Sequence, residues 1–381
     1  MVKMACILLA AMFFAGESQR RTNSFDDGTR DRFFYVFLAI ILIFFAGLRV
    51  KYNDTSTYIG SYNDPNDTPL LRELLRDKEL LKNLGENPGF RIFNSFMRSI
   101  GFDSHLFIMT YAIIGVSLNL WFIQKHTDDF RFAAFHYFVN GYMFAFAAIK
   151  QSTAAAISLV AVDAAMEGKW GKYAFFLILA TLFHPYSLIF LIVPLFINKK
   201  PWSTLTYIIL GIFLVLGVAF PITARLMSQL AELVGDSFSE DDLLAGGVNV
   251  FRFLTYFACI ALYFLFRKQI YNDSSKEDDL IFQLAIFGSM FMFLALFGNQ
   301  ILIGRVPSYF SAYNTLALTF ACNKISRSEG NRSIKPLVFA LFLVYFWYEH
   351  LHLKPFWSRY DAITIKQFFS YVLQYLGGLV K

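Results

Sequence analysis

The run SHLFIMTYAIIGVSLNLWFIQ, residues 104–124, carries no Asp, Glu, Lys or Arg from end to end. A helix that crosses the hydrocarbon core of a bilayer needs roughly 20 mainly apolar residues. This stretch meets that need alone and predicts a spanning helix. Similar uncharged runs recur outward from it, at 4–16, 33–48, 132–149, 151–162, 173–198, 201–224, 253–266, 280–304, 306–323, 336–348 and 367–380. Backbone groups in hydrocarbon must bond within their own segment or within a closed barrel. Barrel strands alternate apolar and polar residues, and these runs do not. The expected fold is therefore all-α, a polytopic integral membrane protein with about 12 transmembrane helices in a single domain, 1–381.

Composition points the same way. Of 381 residues, 56% are hydrophobic and 19% aromatic, with 46 Phe, while 16% are charged. Soluble chains run nearer a quarter charged, so a soluble enzyme, a disordered scaffold and a secreted disulfide module are excluded. Cys6, Cys259 and Cys322 lie in or beside apolar runs without CxxC spacing, which fits packing. The net charge of +6 reads as Lys and Arg retained in inner loops, with no nucleic-acid partner implied.

Residues 1–17 resemble a signal peptide and are read as an uncleaved first helix. Placing 17–32 on the cytoplasmic side puts Lys125, Lys169, Lys172, Lys199 and Lys200 inside, provided the run 173–198 breaks at His184-Pro185. Proline disfavours a continuous helix there. The loops predicted inside are too short for a nucleotide-binding domain, and neither a P-loop nor a GxGxxG motif beside a strand occurs. Chemistry falls to the helices and to two outer-face segments, 49–104 and 223–250. In the first, LLRELLRDKELLKNL (70–84) lies between Thr68-Pro69 and Gly85, start and stop signals for one helix. The second carries Glu232, Asp236, Glu240, Asp241 and Asp242, read as a solvated acidic loop.

This topology gathers a few ionisable groups at outer helix ends: Arg49 and Asp54, Lys150 beside Gln151, His184, and Arg305. Such groups between hydrocarbon segments are costly and often functional. Cations from separate helix ends suit an anionic ligand, because guanidinium grips phosphate oxygens in pairs and Lys adds a point charge. Tyr58, Tyr62, Trp357 and Tyr360 suit sugar stacking or an interfacial belt. His350-x-His352 lacks a third ligand nearby, so no metal is expected.

At these residues the sequence resembles a known family. GLRVKYNDTSTYIGSYND (47–64) is similar to the opening motif of the EpsG/Wzy-like polysaccharide polymerases. AIKQSTAAAISL (148–159) resembles that family's Arg-Gln-x-x-Ala segment. LFHPYSLIFLIVPLF (182–196) resembles its Phe-His-x-Ser-Ala-Leu-Ile segment, and GRVPSYFSAY (304–313) its Arg-x-x-x-Tyr-Phe element. Lys150 stands where the family usually has Arg, and Lys51-Tyr52-Asn53 replaces the common Val-Gly-Thr approach to the Asp. The resemblance implies a GT-C-like membrane glycosyltransferase of the bacterial inner membrane, with its active site facing the periplasm or cell exterior. It would polymerise undecaprenyl-diphosphate-linked oligosaccharide repeat units for O-antigen, capsule or exopolysaccharide. On that resemblance donor and acceptor would be lipid-linked, a chain-length regulator and a flippase would be further partners, and no cofactor is expected.

Preplaced cations would stabilise the charge that grows on the leaving diphosphate. Arg49 and Arg305 are assigned to it, with Lys150 assisting. His184 is the first candidate base and Asp54 the second. Tyr58, Gln151 and Tyr309 are the candidate sugar contacts. A flippase or transporter of the same lipid-linked sugars, or the related polysaccharide ligase, is the alternative reading.

Overall fold

The computed structural model describes residues 2–22, 29–82, 84–85, 87–233, 239–271, 274–327, 332–353 and 360–379. Trp357 and Asp236 lie outside them. The described chain is nearly all helix, and its one sheet is two short strands, Arg49–Lys51 paired antiparallel with Asp361–Ala362. It packs as two compact units.

The first unit comprises residues 1–125, 130–190 and 346–381. At its centre lies helix Ile149–Met166, buried on nearly every side. Its run of Ala154, Ala155 and Ala156 lets neighbouring backbones come close, as small residues do where helices meet in lipid. Helices Trp170–Phe183 and Ser104–Lys125 pack against it, and Thr29–Gly47 packs on Ser104–Lys125. Ser104–Lys125 starts where expected because Asp103 Oδ1 accepts the His105 and Leu106 N–H groups, at 3.0 and 2.8 Å. Such a cap satisfies donors that the first turn leaves open.

The unit has two chemically different ends. At one, Lys125 Nζ lies 2.6 Å from Asp163 and 2.8 Å from Glu167, and Lys169 lies 2.7 Å from Glu167. At the other lie Lys150 and His184, at the opposite termini of helices Ile149–Met166 and Trp170–Phe183, with Arg49 just past the end of Thr29–Gly47. Helix Trp170–Phe183 stops before Pro185, with His184 extended at φ −160°, ψ 127°, and the chain continues as a 3-10 helix, Pro185–Ile192. A residue preceding Pro is pushed out of the helical region, so the break in the run 173–198 falls at His184-Pro185.

The segment 49–104 departs from expectation. The single helix predicted within 70–84 is two, Leu71–Arg76 and Lys78–Lys82, because Asp77 breaks the run. Its Oδ1 accepts the N–H groups of Glu79 and Leu80 at 2.8 and 3.2 Å, and Asp favours this capping bond over helix continuity. A further helix, Pro88–Ser99, follows.

The second unit comprises residues 126–129 and 191–345. Its core is helix Lys276–Leu294 against Ser311–Arg327. Gly288 admits the Phe310 side chain, whose Cβ and first ring carbon would collide with any Cβ placed there. The run 201–224 is not one straight span: Thr204–Val218 turns by 94° into a helix beginning at Phe220. Three members of the acidic loop, Glu240, Asp241 and Asp242, fill the first turn of a helix capped by Ser239. Acidic groups there meet the positive end of the helix dipole.

Among the described residues two helices, Ser104–Lys125 and Ile334–His352, are by length and composition able to cross a membrane alone, and the bent pair adds a third candidate. Five further apolar helices of 10–17 residues accompany them. The protein is a helical membrane protein.

Candidate active site

In the first unit the strand Arg49–Lys51 leaves helix Thr29–Gly47, turns through Asn53 at φ 45°, and enters helix Thr55–Asn63. Asn tolerates this left-handed conformation better than most residues. Arg49 is inside the turn, 2% exposed. Its Nε donates to Thr55 Oγ1 at 3.1 Å, its Nη1 to Ala46 O, and its Nη2 to Ala145 O at 3.2 Å. The guanidinium carbon lies 5.0 Å from the Phe146 ring centre. Ala46 and Ala145 lie in the last turns of helices Thr29–Gly47 and Phe144–Ala147, where carbonyls lack partners within the helix. Arg49 thus closes two helix ends at once. Burial pushes its pKa from 12.5 to about 10, opposed by the nearby Tyr142, Tyr360 and Tyr58.

Beside this corner, Ala148 ends one helix and Ile149–Met166 begins, bringing Lys150 and Gln151 to its first turn. Lys150 is half-buried, with Nζ 5.9 Å from the Phe90 ring centre. Tyr58 meets the same Phe90 ring edge-on at 6.0 Å. Phe90 is held there by helix Pro88–Ser99, which abuts the end of Trp170–Phe183 so closely that Gly89 has no room for a side chain. A Cβ there would lie 2.8 Å from Leu182 Cβ and 3.0 Å from Leu182 O.

His184 faces Gln151, with 3.3 Å between the two Nε2 atoms. The Tyr186 N–H donates to His184 Nδ1 at 3.4 Å, which favours the neutral tautomer with its proton on Nε2. An Nε2–H needs an acceptor, and Gln151 Oε1 has none other among the described residues. Amide oxygen and nitrogen exchange places by a half-turn, and that turn satisfies both groups. Gln151 is 8% exposed. The imidazole is then a donor with its second nitrogen occupied, a poor arrangement for a base.

The structure therefore brings together Arg49, Tyr58, Lys150, Gln151 and His184. Asp54 stands one turn before Tyr58, half-buried, and its carboxylate does not cap the helix that follows it. Arg305 and Tyr309 belong to the second unit. Arg305 immediately precedes the 3-10 helix Val306–Phe310 and is half-buried, whereas Tyr309 is 1% exposed and packed inside. Arg252 Nη2 donates to Gly304 O at 3.4 Å, setting a second guanidinium next to the Arg305 backbone. Sequence reasoning passed over Arg252, Thr55, Phe90 and Phe146. A lone Arg in an apolar run was a readable signal for the first, but Thr and Phe carry none that separates them from ordinary packing.

Among the other aromatics, Tyr62 is buried, with its hydroxyl donating to Phe102 O at 2.9 Å, and Tyr360 donates to Phe45 O at 3.0 Å. Tyr360 thereby serves the frame around Arg49, and Tyr62 stacks on Phe107, ring centres 4.3 Å apart. His350 is buried against Phe346, ring centres 4.4 Å apart.

Residues 32–363 match the model of a family described as the EpsG family. No curated protein and no solved structure matches the chain.

Proposed function

The chain belongs to the EpsG family, whose role is polysaccharide-polymerase-like, and from that premise we propose that it is a membrane glycosyltransferase joining oligosaccharide repeat units carried on undecaprenyl diphosphate. The proposal extends to about a dozen membrane segments in a GT-C-like arrangement, in a bacterial inner membrane, with the site on the periplasmic or outer face. The observation that carries it is the half-buried Lys150 beside Gln151, His184, Phe90 and Tyr58, at the end of the first unit opposite the Lys125–Glu167 ion pairs.

A hydroxyl of the acceptor sugar attacks the anomeric carbon of the donor, the bond from that carbon to the diphosphate oxygen breaks, and the lipid diphosphate departs with the electron pair. Lys150 stabilises the charge that accumulates on it, an interaction stronger in the transition state than before it. The attacking hydroxyl must lose a proton. His184 is turned into a donor by Tyr186 and Gln151, so Asp54 is the proposed base and His184 donates to a sugar or phosphate oxygen. Arg49, held by three acceptors, holds the corner that carries Asp54 and Tyr58 and acts as a positioning residue. Arg305, with Arg252 beside it, is the proposed anion ligand of the second unit.

The test is to incubate purified protein with a defined undecaprenyl-diphosphate oligosaccharide. A ladder of polymer, lost in Asp54→Asn and Lys150→Ala, supports the reading. Transfer of single units across vesicles without polymer would refute it in favour of a flippase. Parallel incubation with EDTA tests metal dependence.

A further inference from the structure

The last uncharged run, 367–380, reads in sequence like the other apolar runs, yet its helix behaves differently. Ile365–Leu379 has 15 residues, roughly 22 Å at 1.5 Å per residue, short of the roughly 30 Å hydrocarbon core. Its start is fixed twice. Strand Asp361–Ala362 pairs with Arg49–Lys51. Thr364 and Gln367 then form a reciprocal cap, Gln367 N–H to Thr364 Oγ1 at 3.2 Å and Thr364 N–H to Gln367 Oε1 at 2.8 Å.

One face of the helix packs on the protein, and the order of contacts gives its course. Phe368 packs with Leu48 and Met109. Tyr371 stacks on His105, ring centres 4.4 Å apart, and Tyr375 meets Phe102 edge-on at 5.2 Å. Moving along the helix, its partners step back from residue 109 to 105 to 102, towards and past the start of Ser104–Lys125. A helix that crossed the membrane beside this neighbour would instead meet residues 112, 116 and 120. The segment stays at the Lys150–His184 end.

The opposite face is a continuous apolar stripe, Ile365, Phe369, Leu373 and Leu376, all exposed, with Leu373 at 68%. The adjoining stripe is Lys366, Ser370 and Gln374, also exposed. Spacing of i, i+4, i+8 and i+11 puts each set on one side of a helix. This is the pattern of interfacial helices, apolar face in the acyl boundary and polar face in water. The neighbouring helix Ser104–Lys125 exposes Ile113, which by its spacing of four and eight residues shares a face with Met109 and His105, the residues this helix touches. Helix Pro88–Ser99, joined to Ser104–Lys125 through Gly101 and Phe102, exposes Ile92 and Phe96 at the same end.

We infer that helix Ile365–Leu379 is an interfacial anchor: it stays at the membrane surface at the Lys150–His184 end, with Phe369 and Leu373 among the acyl chains, and does not cross the membrane. Two measurements on the full chain test this in a Cys6→Ser background. For sidedness, Asn66→Cys, Lys169→Cys and Gly378→Cys are probed in intact cells and in inverted vesicles with an impermeant maleimide. Asn66 and Lys169 are exposed, and a side chain at Gly378 meets no atom within 4 Å. Gly378→Cys should label together with Asn66→Cys and opposite to Lys169→Cys. Labelling together with Lys169→Cys would overturn the inference. For depth, nitroxides at Leu373→Cys and Gln374→Cys are compared in lipid. Oxygen should relax the first more than a water-soluble nickel chelate does, with the order reversed at the second. Nickel dominance at 373 would place that face in water. Protection from both reagents would place it against a second copy or another protein. Either result overturns the inference.

Discussion

Replacing Arg49 by Ala should destabilise the first unit rather than merely silence it. The guanidinium donates to three acceptors, Thr55 Oγ1, Ala46 O and Ala145 O, inside a corner where it is 2% exposed. Hydrogen bonds from a charged donor contribute roughly 1.5–3 kcal/mol each. Against them stands the cost of burying the cation. A pKa lowered from 12.5 to about 10 corresponds to roughly 3 kcal/mol at 1.36 kcal/mol per pKa unit. The bonds outweigh the burial, so truncation should cost on the order of 2–5 kcal/mol. That is a large part of the roughly 5–15 kcal/mol that holds a typical domain folded.

Arg49→Lys retains the charge but loses the fork and cannot reach all three acceptors, so it should fall between wild type and Arg49→Ala. Thr55→Val removes one acceptor of the same set and should cost about 1–3 kcal/mol. The assay is thermal unfolding of the purified protein in detergent, read alongside polymer formation on a lipid-linked oligosaccharide. The expected order of melting temperatures is wild type, then Thr55→Val and Arg49→Lys, then Arg49→Ala, with activity falling in step. An Arg49→Ala protein that melts with the wild type while making no polymer would refute the clamp and return this residue to the substrate.

The opposite pattern is expected at Lys150. Lys150→Ala should lose about 10²-fold or more in turnover with a smaller drop in melting temperature than Arg49→Ala, because Lys150 is half-buried whereas Arg49 is 2% exposed. Gly89→Ala drives a Cβ to 2.8 Å from Leu182 Cβ and 3.0 Å from its carbonyl oxygen, and backbone yields little. It should cost about 1–3 kcal/mol and reduce activity by displacing Phe90 from Lys150. At the other end, hydrogen bonds from Lys125 and Lys169 hold the Glu167 carboxyl down from 4.5 to about 2. A depressed acid contributes stability that is full above 4.5 and is lost as pH falls towards about 2. Glu167→Gln should therefore flatten the fall in melting temperature on acidification, measured by unfolding across that range.

Physical scale decided which features were legible in the sequence. Charge in hydrocarbon is so costly that Arg49, Lys150 and His184 stood out against apolar runs, and the structure brings them to one end of a unit. The Pro185 break was equally plain, since proline excludes helical backbone at the residue before it. What charge counting could not see was periodicity within an uncharged run. The helix Ile365–Leu379 and the bent pair after Thr204 both contain long apolar stretches, yet one never descends along its neighbour and the other turns by 94°. Asp77 divided a Leu-rich helix because a side-chain cap competes with propensity at close range, and composition over a window averages that contest away.

The same limit explains why Arg49 and Lys150 looked alike in sequence and differ in place. A cation at a helix end has two outlets, carbonyls left open by the helices or an anion from outside. Which one it takes depends on how many helix ends converge on it. Arg49 meets the ends of Thr29–Gly47 and Phe144–Ala147 and satisfies both. Lys150 sits in the first turn of its helix, where the open backbone groups are N–H donors that an ammonium cannot serve. An anion suits both the ammonium and those donors. Position within the helix, more than the identity of the cation, therefore separates the residue that builds the corner from the one proposed to meet the diphosphate.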